Sequence, residues 1–262
     1  MNFELIYRYC CYVLFSGHRK GHGIHSPFVF ELVTKVFNDK EYHDAFTGIE
    51  DIRKELLRSD KIIKVKDLGA GSKITGSINR KIKDIVRYSS VKEKYGKLLF
   101  HLVSYFMPGI ILELGTSLGI STLYMALANS NAKVLTIEGC PETAAVAKDN
   151  FDKAGAGNIE LLEGEFDEVL ADISRKDIRP DFVFIDGNHR KDATLRYFEH
   201  IIKNCGNDTV FVFDDIHWSS GMEEAWNKIK AHREVTVTID IFFMGIIFLK
   251  KELSKEDFVI KY

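Results

Sequence analysis

The stretch that decides the fold is GIILELGTSLGIST, residues 109–122. It opens as an apolar run, passes through a short loop with two glycines and continues as a helix-like segment that begins near Ser121 and Thr122. A helix entered through such a loop points backbone N–H groups and the positive end of its dipole at an anionic ligand. The stretch therefore predicts a strand, a ligand-binding turn and a helix.

The same alternation continues along the chain from about residue 91. Short apolar runs are separated by segments of helical periodicity, and five of these runs read GIILEL, KVLTIE, NIELLE, DFVFID and TVFVFD. Strands that alternate with helices predict a parallel sheet covered by helices. The last β-rich runs, VTVTIDIFF and MGIIFLKK, have no helix between them and predict an antiparallel hairpin. We expect an α/β fold with a Rossmann-like, doubly wound, mostly parallel seven-stranded sheet, a C-terminal antiparallel hairpin and an N-terminal helical extension.

The composition is that of a globular protein without a nucleic-acid partner. Hydrophobic residues make up 45% and charged residues 28% of the 262 residues, as in ordinary globular proteins. With 36 basic and 38 acidic residues the net charge is −2, so no nucleic-acid partner is expected. The four cysteines follow no metal-finger or disulfide spacing, which favours a reduced, cytoplasmic setting.

The N-terminal segment CCYVLF raises the question of a membrane. It is too short to cross a bilayer, charged residues precede it, and no small-residue cleavage site follows it. An amphipathic helix packed on the domain is the preferred interpretation, with contact to a membrane surface as the alternative. We therefore expect no stable membrane insertion.

Two glycine loops compete for the cofactor, ELGTSLGIST (113–122) and DLGAGS (67–72). Only the first follows an uninterrupted apolar run, and the next run ends in Glu138, 25 residues after Glu113. A carboxylate at the end of the second strand suits a ribose diol. The first loop lacks the middle glycine of the dinucleotide fingerprint, so a ligand without a pyrophosphate, such as S-adenosylmethionine (SAM), is favoured over NAD.

The order of these elements resembles that of the class I SAM-dependent methyltransferases. KYGKLLFHLVSYFMPGIILELGTSLGIST and VLTIEGCPETAAVAKDNFDKAGAGNIELLEGEFDEVL are similar to the catechol and caffeoyl-CoA O-methyltransferases, over roughly residues 89–250. The resemblance implies that the methionine end of SAM is lined by Ser90, Val91, Glu113, Gly115, Thr116, Ser117 and, near the carboxylate, Ser121.

The resemblance also assigns the ribose and adenine ends of SAM. Glu138 would take the ribose, while Glu165 and Phe166 would flank the adenine. Glu165 could equally be an acid that favours the start of a helix, and Phe166 could equally be a core residue. Both alternatives stay open.

Acids end two further apolar runs. Asp186 ends the fourth run, and Asp214 and Asp215 end the fifth. In a doubly wound sheet these strand ends lie close together, and carboxylates so close raise one another's pKa unless a cation compensates them. Three oxygen ligands and water suit Mg²⁺. We therefore predict a divalent metal on these acids, with Asp186 also counted in the cofactor-binding set, although each acid could instead serve as a turn or cap residue.

His189 follows Asp186 by three positions and is the predicted catalytic residue. The catechol-type enzymes have lysine at this place, whereas a D-G-x-H loop resembles the macrolide-sugar O-methyltransferase branch. Histidine is suited to take a proton near neutral pH. Lys191 and His217 are rival bases, although His217 could equally lie in a packed loop.

Together these features predict a SAM-dependent O-methyltransferase that acts on a hydroxyl of a small molecule, with Mg²⁺ and a histidine base. The alternatives are a catalytically silent SAM-binding interaction or regulatory protein and, less favoured, an NAD-dependent oxidoreductase. A homo-oligomer is compatible with the sequence.

The chain is expected to divide into an N-terminal extension (1–90) and a SAM-binding domain (91–262). By analogy with small-molecule methyltransferases the extension would act as a lid or substrate-recognition segment. Its segment GHRKGHGIHSP (17–27) has three histidines but no acid or cysteine partners, which disfavours a metal site. It could equally be a docking loop, and DLGAGS could help to shape the acceptor pocket.

Overall fold

The computed structural model describes residues 3–17, 21, 23–65 and 78–262. The α-helices in these residues are α1 (Phe3–Phe15), α2 (Pro27–Leu32), α3 (Asp44–Arg58), α4 (Ile82–Ser89), α5 (Glu93–Phe106), α6 (Ile120–Ala128), α7 (Pro141–Ala154), α8 (Phe166–Arg175), α9 (Lys191–Ile201) and α10 (Ser220–Ala231). A π-helical turn (Val33–Phe37) follows α2, and a 3-10 turn (Ile202–Asn204) follows α9.

The strands are β1 (Ile62–Lys64), β2 (Asn79–Lys81), β3 (Ile110–Leu114), β4 (Lys133–Glu138), β5 (Ile159–Glu163), β6 (Phe182–Ile185), β7 (Val210–Asp214), β8 (Val237–Asp240), β9 (Met244–Phe248) and β10 (Glu256–Val259). Two predicted features, the DLGAGS loop (67–72) and the histidines His18 and His22, lie outside the described residues.

The chain falls into two compact units. The terminal unit comprises Met1–Asp39 and Arg179–Tyr262, and the central unit comprises Lys40–Ile178. Each unit has its own strands and buried residues.

The central unit contains three parallel strands in the order β3-β4-β5. Helix α6 connects β3 to β4, and α7 connects β4 to β5. The register sets Glu113 opposite Thr136 and Glu138 opposite Glu163. Because parallel strands share one direction, the turns after β3, β4 and β5 all lie at one edge, where open α/β sheets bind ligands. A separate antiparallel pair, β1 and β2, belongs to the same unit.

The terminal unit contains five strands in the order β10-β8-β9-β7-β6. Strands β6 and β7 are parallel, β9 is antiparallel to both β7 and β8, and β10 is parallel to β8. The pairing of Ile185 with Phe213 brings the ends of β6 and β7 side by side. The apolar residues of both strands are buried, as expected for strands inside a sheet that is covered on both faces.

Local sequence signals set where helices begin and end. Pro141 begins α7, where a missing N–H costs nothing, and Gly155 ends it with a φ of 65°. Ser219 precedes α10, and its side chain accepts a hydrogen bond from the Met222 N–H at 3.2 Å. Helix α1 packs within the terminal unit, where the Tyr12 hydroxyl donates to the Ile260 carbonyl at 2.6 Å.

The predicted fold class is confirmed, including the mostly parallel strands and the antiparallel hairpin of β8 and β9. The predicted number of seven strands is wrong, because the described residues supply eight strands besides the β1-β2 pair. The additional strand is β10, whose sequence EDFV is largely exposed. A short edge strand with two acids lacks the apolar run by which a strand is recognised in sequence.

The predicted helical extension contains α1 to α4 together with β1 and β2. The two compact units are not divided at residue 90, and the proposed role of residues 1–90 as a lid stays a prediction. In the part of the chain that the structure describes, no helix combines the length and apolar character needed to span a bilayer.

Candidate active site

A loop with left-handed backbone joins β3 to α6; we call residues 115–119 the glycine loop. Gly115, Ser117 and Gly119 have φ values of 101°, 49° and 81°. A Cβ atom at Gly119 would lie 2.4 Å from the ring of Phe151 on α7, so both the backbone angle and the close approach require glycine. The Gly115 N–H donates to the Ile137 carbonyl at 3.0 Å and ties the loop to β4.

Glu113 lies fully buried beneath the glycine loop. Its carboxylate accepts hydrogen bonds from the hydroxyls of Ser121 (2.6 Å), Thr136 (2.6 Å) and Thr122. Burial raises the pKa of Glu113, and the three hydroxyl donors offset that rise only in part. In this arrangement Glu113 and Ser121 bond to each other, and they support the loop from its buried side.

Glu138 ends β4 and bonds to the glycine loop through its carboxylate. The Ser117 N–H donates to Oε2 at 2.7 Å, and the Cys140 N–H donates to Oε1 at 2.9 Å. Burial raises the pKa of Glu138, although these backbone donors favour its charged form. The hydroxyl of Thr116 bonds to that of Thr136 at 2.6 Å. The structure thus brings the predicted loop residues and Glu138 into one connected group.

The other predicted cofactor residues of the central unit lie at two turns. Ser90 follows α4, and Val91 is buried between α4 and α5. Glu165 is exposed at the N-cap of α8, and Phe166 is the half-buried first residue of that helix. The Gly164 N–H donates to the Glu138 carbonyl at 3.0 Å, which holds the turn before α8 beside the end of β4.

In the terminal unit, Asp186 and His189 lie in the loop after β6. His189 Nε2 lies 3.7 Å from Asp186 Oδ1, within ion-pair range of a protonated imidazole. Asn188 turns the chain between them with a φ of 52°, and its side-chain amide donates to the Tyr197 hydroxyl at 3.0 Å. Asp186 and His189 therefore lie close together, as their spacing in the sequence predicts.

The two acids at the end of β7, Asp214 and Asp215, differ in backbone conformation. Asp214 is the last residue of β7, whereas Asp215 has a φ of 54° and donates its N–H to the Phe243 carbonyl at 2.7 Å. Successive strand residues point to opposite faces, so two adjacent acids do not share one side of a sheet by default. Among the described residues no group of three or more histidines, cysteines, aspartates and glutamates is arranged to hold a metal ion.

The two rival bases are held in ion pairs. Lys191 pairs with Glu224 on α10, and both side chains reach solvent. His217 lies between Glu223 (3.0 Å) and Asp240 (2.8 Å). Burial opposes protonation of His217, but the two carboxylates outweigh it and raise its pKa. These contacts place His217 in a packed polar cluster.

The sequence interpretation missed the supporting contacts of three residues: Thr122, Thr136 and Asn150. The two threonines donate to Glu113, and the buried Asn150 amide donates to the Leu118 carbonyl at 2.8 Å. Thr136 contacts Glu113 only because of the register between β3 and β4. Helical spacing relates Asn150 to neighbours on α7 alone, so no local signal reveals its contact with the loop.

Comparison with known proteins identifies related sequences. The family described as "Methyltransferase domain" matches residues 112–216. The catechol O-methyltransferase of Niastella koreensis is 33% identical over 130 residues, which are 48% of this chain and 58% of that protein. The catechol O-methyltransferase of Sus scrofa is 32% identical over 139 residues, 50% of this chain and 72% of that protein. The chain thus spans little more than half of the first relative and nearly three quarters of the second.

Solved structures share the fold. An O-methyltransferase from Bacillus cereus in complex with S-adenosylhomocysteine (SAH) has a TM-score of 0.58 at 20% identity, and the match covers 80% of this chain and 92% of that one. An O-methyltransferase from Streptomyces achromogenes in complex with SAM has a TM-score of 0.58 at 19% identity, covering 84% and 94%. With the family match, the relatives and the glycine loop in agreement, the chain belongs to the class I SAM-dependent O-methyltransferases.

Proposed function

We propose that the protein transfers a methyl group from SAM to a hydroxyl group of a small molecule. The observation that carries this proposal is the hydrogen bond from the Ser117 N–H to the Glu138 carboxylate, which joins the glycine loop to the acid at the end of β4. A loop and an acid so connected are suited to a nucleoside ligand without a pyrophosphate.

The cofactor is assigned to the central unit. Gly115, Thr116 and Ser117 would face the methionine end of SAM, together with Ser90 and Val91. Because Glu113 and Ser121 already bond to each other, we assign them to support of the loop. This support helps to hold the left-handed backbone of the loop in place.

The ribose and adenine are assigned to the turns after β4 and β5. Glu138 would accept hydrogen bonds from the ribose hydroxyls at carboxylate lone pairs beside those that accept from Ser117 and Cys140. Glu165 and Phe166 would flank the adenine from the start of α8. We keep Asp186 in the proposed cofactor set as the acid after β6.

Methyl transfer is proposed to be an in-line displacement at the sulfonium methyl. The acceptor oxygen forms a bond to the methyl carbon while the sulfur–carbon bond breaks, and SAH leaves with the electron pair. His189 takes the proton of the hydroxyl, and the Asp186 carboxylate 3.7 Å away stabilises the resulting imidazolium. Orientation of the oxygen against the methyl group supplies much of the rate.

The predicted Mg²⁺ has suitable donor atoms in Asp186, Asp214 and Asp215, because carboxylate oxygens are its preferred protein ligands. These acids do not form a three-ligand group among the described residues, so no step is assigned to a metal. Comparison of turnover with and without EDTA tests whether a cation bound by these three acids is required. A complete loss of turnover in EDTA, restored by Mg²⁺, would support it, whereas unchanged turnover would exclude it.

The acceptor is proposed to be a catechol or a sugar-like polyol. Relatives named catechol O-methyltransferase support the first class. The histidine at position 189, where the catechol-type pattern has lysine, supports the second. A panel of both compound classes, assayed by SAH formation, decides between them.

The decisive experiment is calorimetric titration of the full chain with SAH, with and without Mg²⁺, and in parallel with NAD. Saturable binding of SAH supports the proposal. Binding of NAD but not of SAH would overturn the proposal in favour of an oxidoreductase. SAH binding without turnover of any acceptor would favour the alternative of a silent SAM-binding protein.

A further inference from the structure

A polar network links two helices of the central unit, α3 and α6. On α3, Arg53 Nε lies 3.2 Å from Glu50 Oε1. The same carboxylate oxygen accepts a hydrogen bond from the Tyr124 hydroxyl of α6 at 2.8 Å. Burial, and then the contact with Glu50, raise the pKa of Tyr124, so its phenol stays a proton donor. Tyr124 therefore helps to hold the Glu50 carboxylate, which in turn holds the Nε end of the Arg53 guanidinium.

The guanidinium of Arg53 has a second role that is not needed for this network. Its Nη2 donates to the main-chain carbonyl of Val91, 38 residues further along the chain. Val91 lies between α4 and α5 and is only 8% exposed, and the Arg53 side chain is 12% exposed. A buried carbonyl needs a partner, and a charged donor shielded from water binds it more strongly than a surface side chain would.

We propose that Arg53 is a positioning residue for the methionine end of SAM, acting through the Ser90–Val91 segment. The inference rests on the proposed function, which assigns that segment to the cofactor. Arg53 does not need to touch SAM: it holds the carbonyl of Val91 and thereby the backbone that begins α5. Helix α3 lies in the predicted N-terminal extension, so part of that extension would serve the cofactor rather than the acceptor.

Arginine suits this role better than lysine. The planar guanidinium offers separate donors in a fixed geometry, here Nε toward Glu50 and Nη2 toward Val91. An ammonium group is a compact charge and does not span both acceptors in the same way. The conservative change Arg53→Lys therefore keeps the charge beside Glu50 but loses the contact with Val91.

The test compares Arg53→Lys with two other variants of the full chain. Tyr124→Phe removes the other hydrogen bond of Glu50 and leaves the contact with Val91 intact. Lys54→Met replaces the neighbouring exposed residue of α3, which forms a surface ion pair with Asp51. SAH affinity is measured by calorimetry, KM and kcat by SAH formation, and stability by thermal unfolding.

We expect Arg53→Lys to raise the Kd for SAH and the KM for SAM about tenfold, the usual effect of one lost hydrogen bond to a charged group. The kcat should stay within twofold, because the acceptor and the base are untouched. Tyr124→Phe should lower the melting temperature while the SAH affinity stays close to wild type. Lys54→Met should change neither quantity.

Two results would overturn the proposal. One is a wild-type SAH affinity in a folded Arg53→Lys protein. The other is an equal loss of affinity in Tyr124→Phe, which would trace the effect to general loosening of the helices. Failure of the wild-type protein to bind SAH would instead overturn the proposed function, and with it the assignment of Ser90–Val91.

Discussion

The glycine loop of the central unit and the acid-bearing loops of the terminal unit differ in how their functional groups are held. In the first region, Glu113 and Glu138 accept hydrogen bonds from three hydroxyls and two backbone N–H groups. In the second, Asp186 and His189 lie 3.7 Å apart on a turn, and Asp215 adopts a left-handed conformation. The glycine loop is tied to the end of β4, whereas Asp186 and Asp215 lie in turns that contain the left-handed residues Asn188 and Asp215.

In the proposed function, the glycine loop serves cofactor binding and His189, in the loop after β6, serves proton transfer. Hydrogen bonds inside the central unit hold the glycine loop in its left-handed conformation, and a loop held in this way has less conformational freedom to lose on binding. We therefore expect substitutions at the glycine loop to change affinity and stability together. Substitution of His189, in the loop after β6, should change the rate with little effect on affinity or stability.

The largest effect is expected for His189→Ala. Loss of a general base lowers kcat by roughly 10²–10⁴-fold. Its SAH affinity and thermal stability should match wild type, because the half-exposed side chain has no place in the core. The matched control is His200→Ala, a histidine in the last turn of α9. A rate unchanged in His189→Ala would remove this residue from the mechanism.

A loss of stability of about 2–5 kcal/mol is expected for Gly119→Ala. The left-handed φ costs about 1–2 kcal/mol for a residue with a Cβ, and the overlap with Phe151 adds roughly 1–3 kcal/mol. Gly155→Ala is the control, because its φ is 65° but nothing lies within 4 Å of the added Cβ. Urea unfolding of the two variants measures the difference. Equal losses would mean that α7 moves aside at no cost.

A smaller change is expected for Glu138→Gln. The amide keeps the shape of the side chain but weakens the bonds to the Ser117 and Cys140 N–H groups, which are stronger to a charged acceptor. The Kd for SAH should rise about tenfold. Glu163→Gln, at the exposed register partner in β5, should bind SAH normally. Matching affinities in the two variants would exclude Glu138 from the ribose site.

The smallest effect is expected in the pH dependence of Glu113→Gln. Burial raises the pKa of Glu113, so the folded state holds its proton more tightly than the unfolded state. Its contribution to stability is therefore fully present below the ordinary pKa near 4.5 and is lost as pH rises toward the folded-state pKa. Glu113→Gln should flatten this decline in urea unfolding between pH 4.5 and neutrality. An unchanged slope would mean that Glu113 stays charged.

Many of the strands and helices of the central unit could be predicted from sequence, because apolar periodicity and glycine positions are local signals. The apolar run 109–114 and the helix-like segment after it became β3 and α6, and KVLTIE is β4 to the residue. The eighth strand could not be predicted, because EDFV becomes a strand only by pairing with β8. The relative orientation of Asp214 and Asp215 could not be predicted either. The left-handed φ of Asp215 depends on the turn in which it lies, and nothing in its position beside Asp214 indicates that turn.

The sequence by itself determined the α/β class, the glycine loop and the acid at the end of β4, since each follows from periodicity and from conformations that only certain residues adopt. The tertiary structure alone decided that Thr136 meets Glu113 and that Arg53 reaches the carbonyl of Val91. Such contacts join residues far apart in the chain. They depend on strand register and helix packing, which are set by the free energy of the whole core and not by any local pattern.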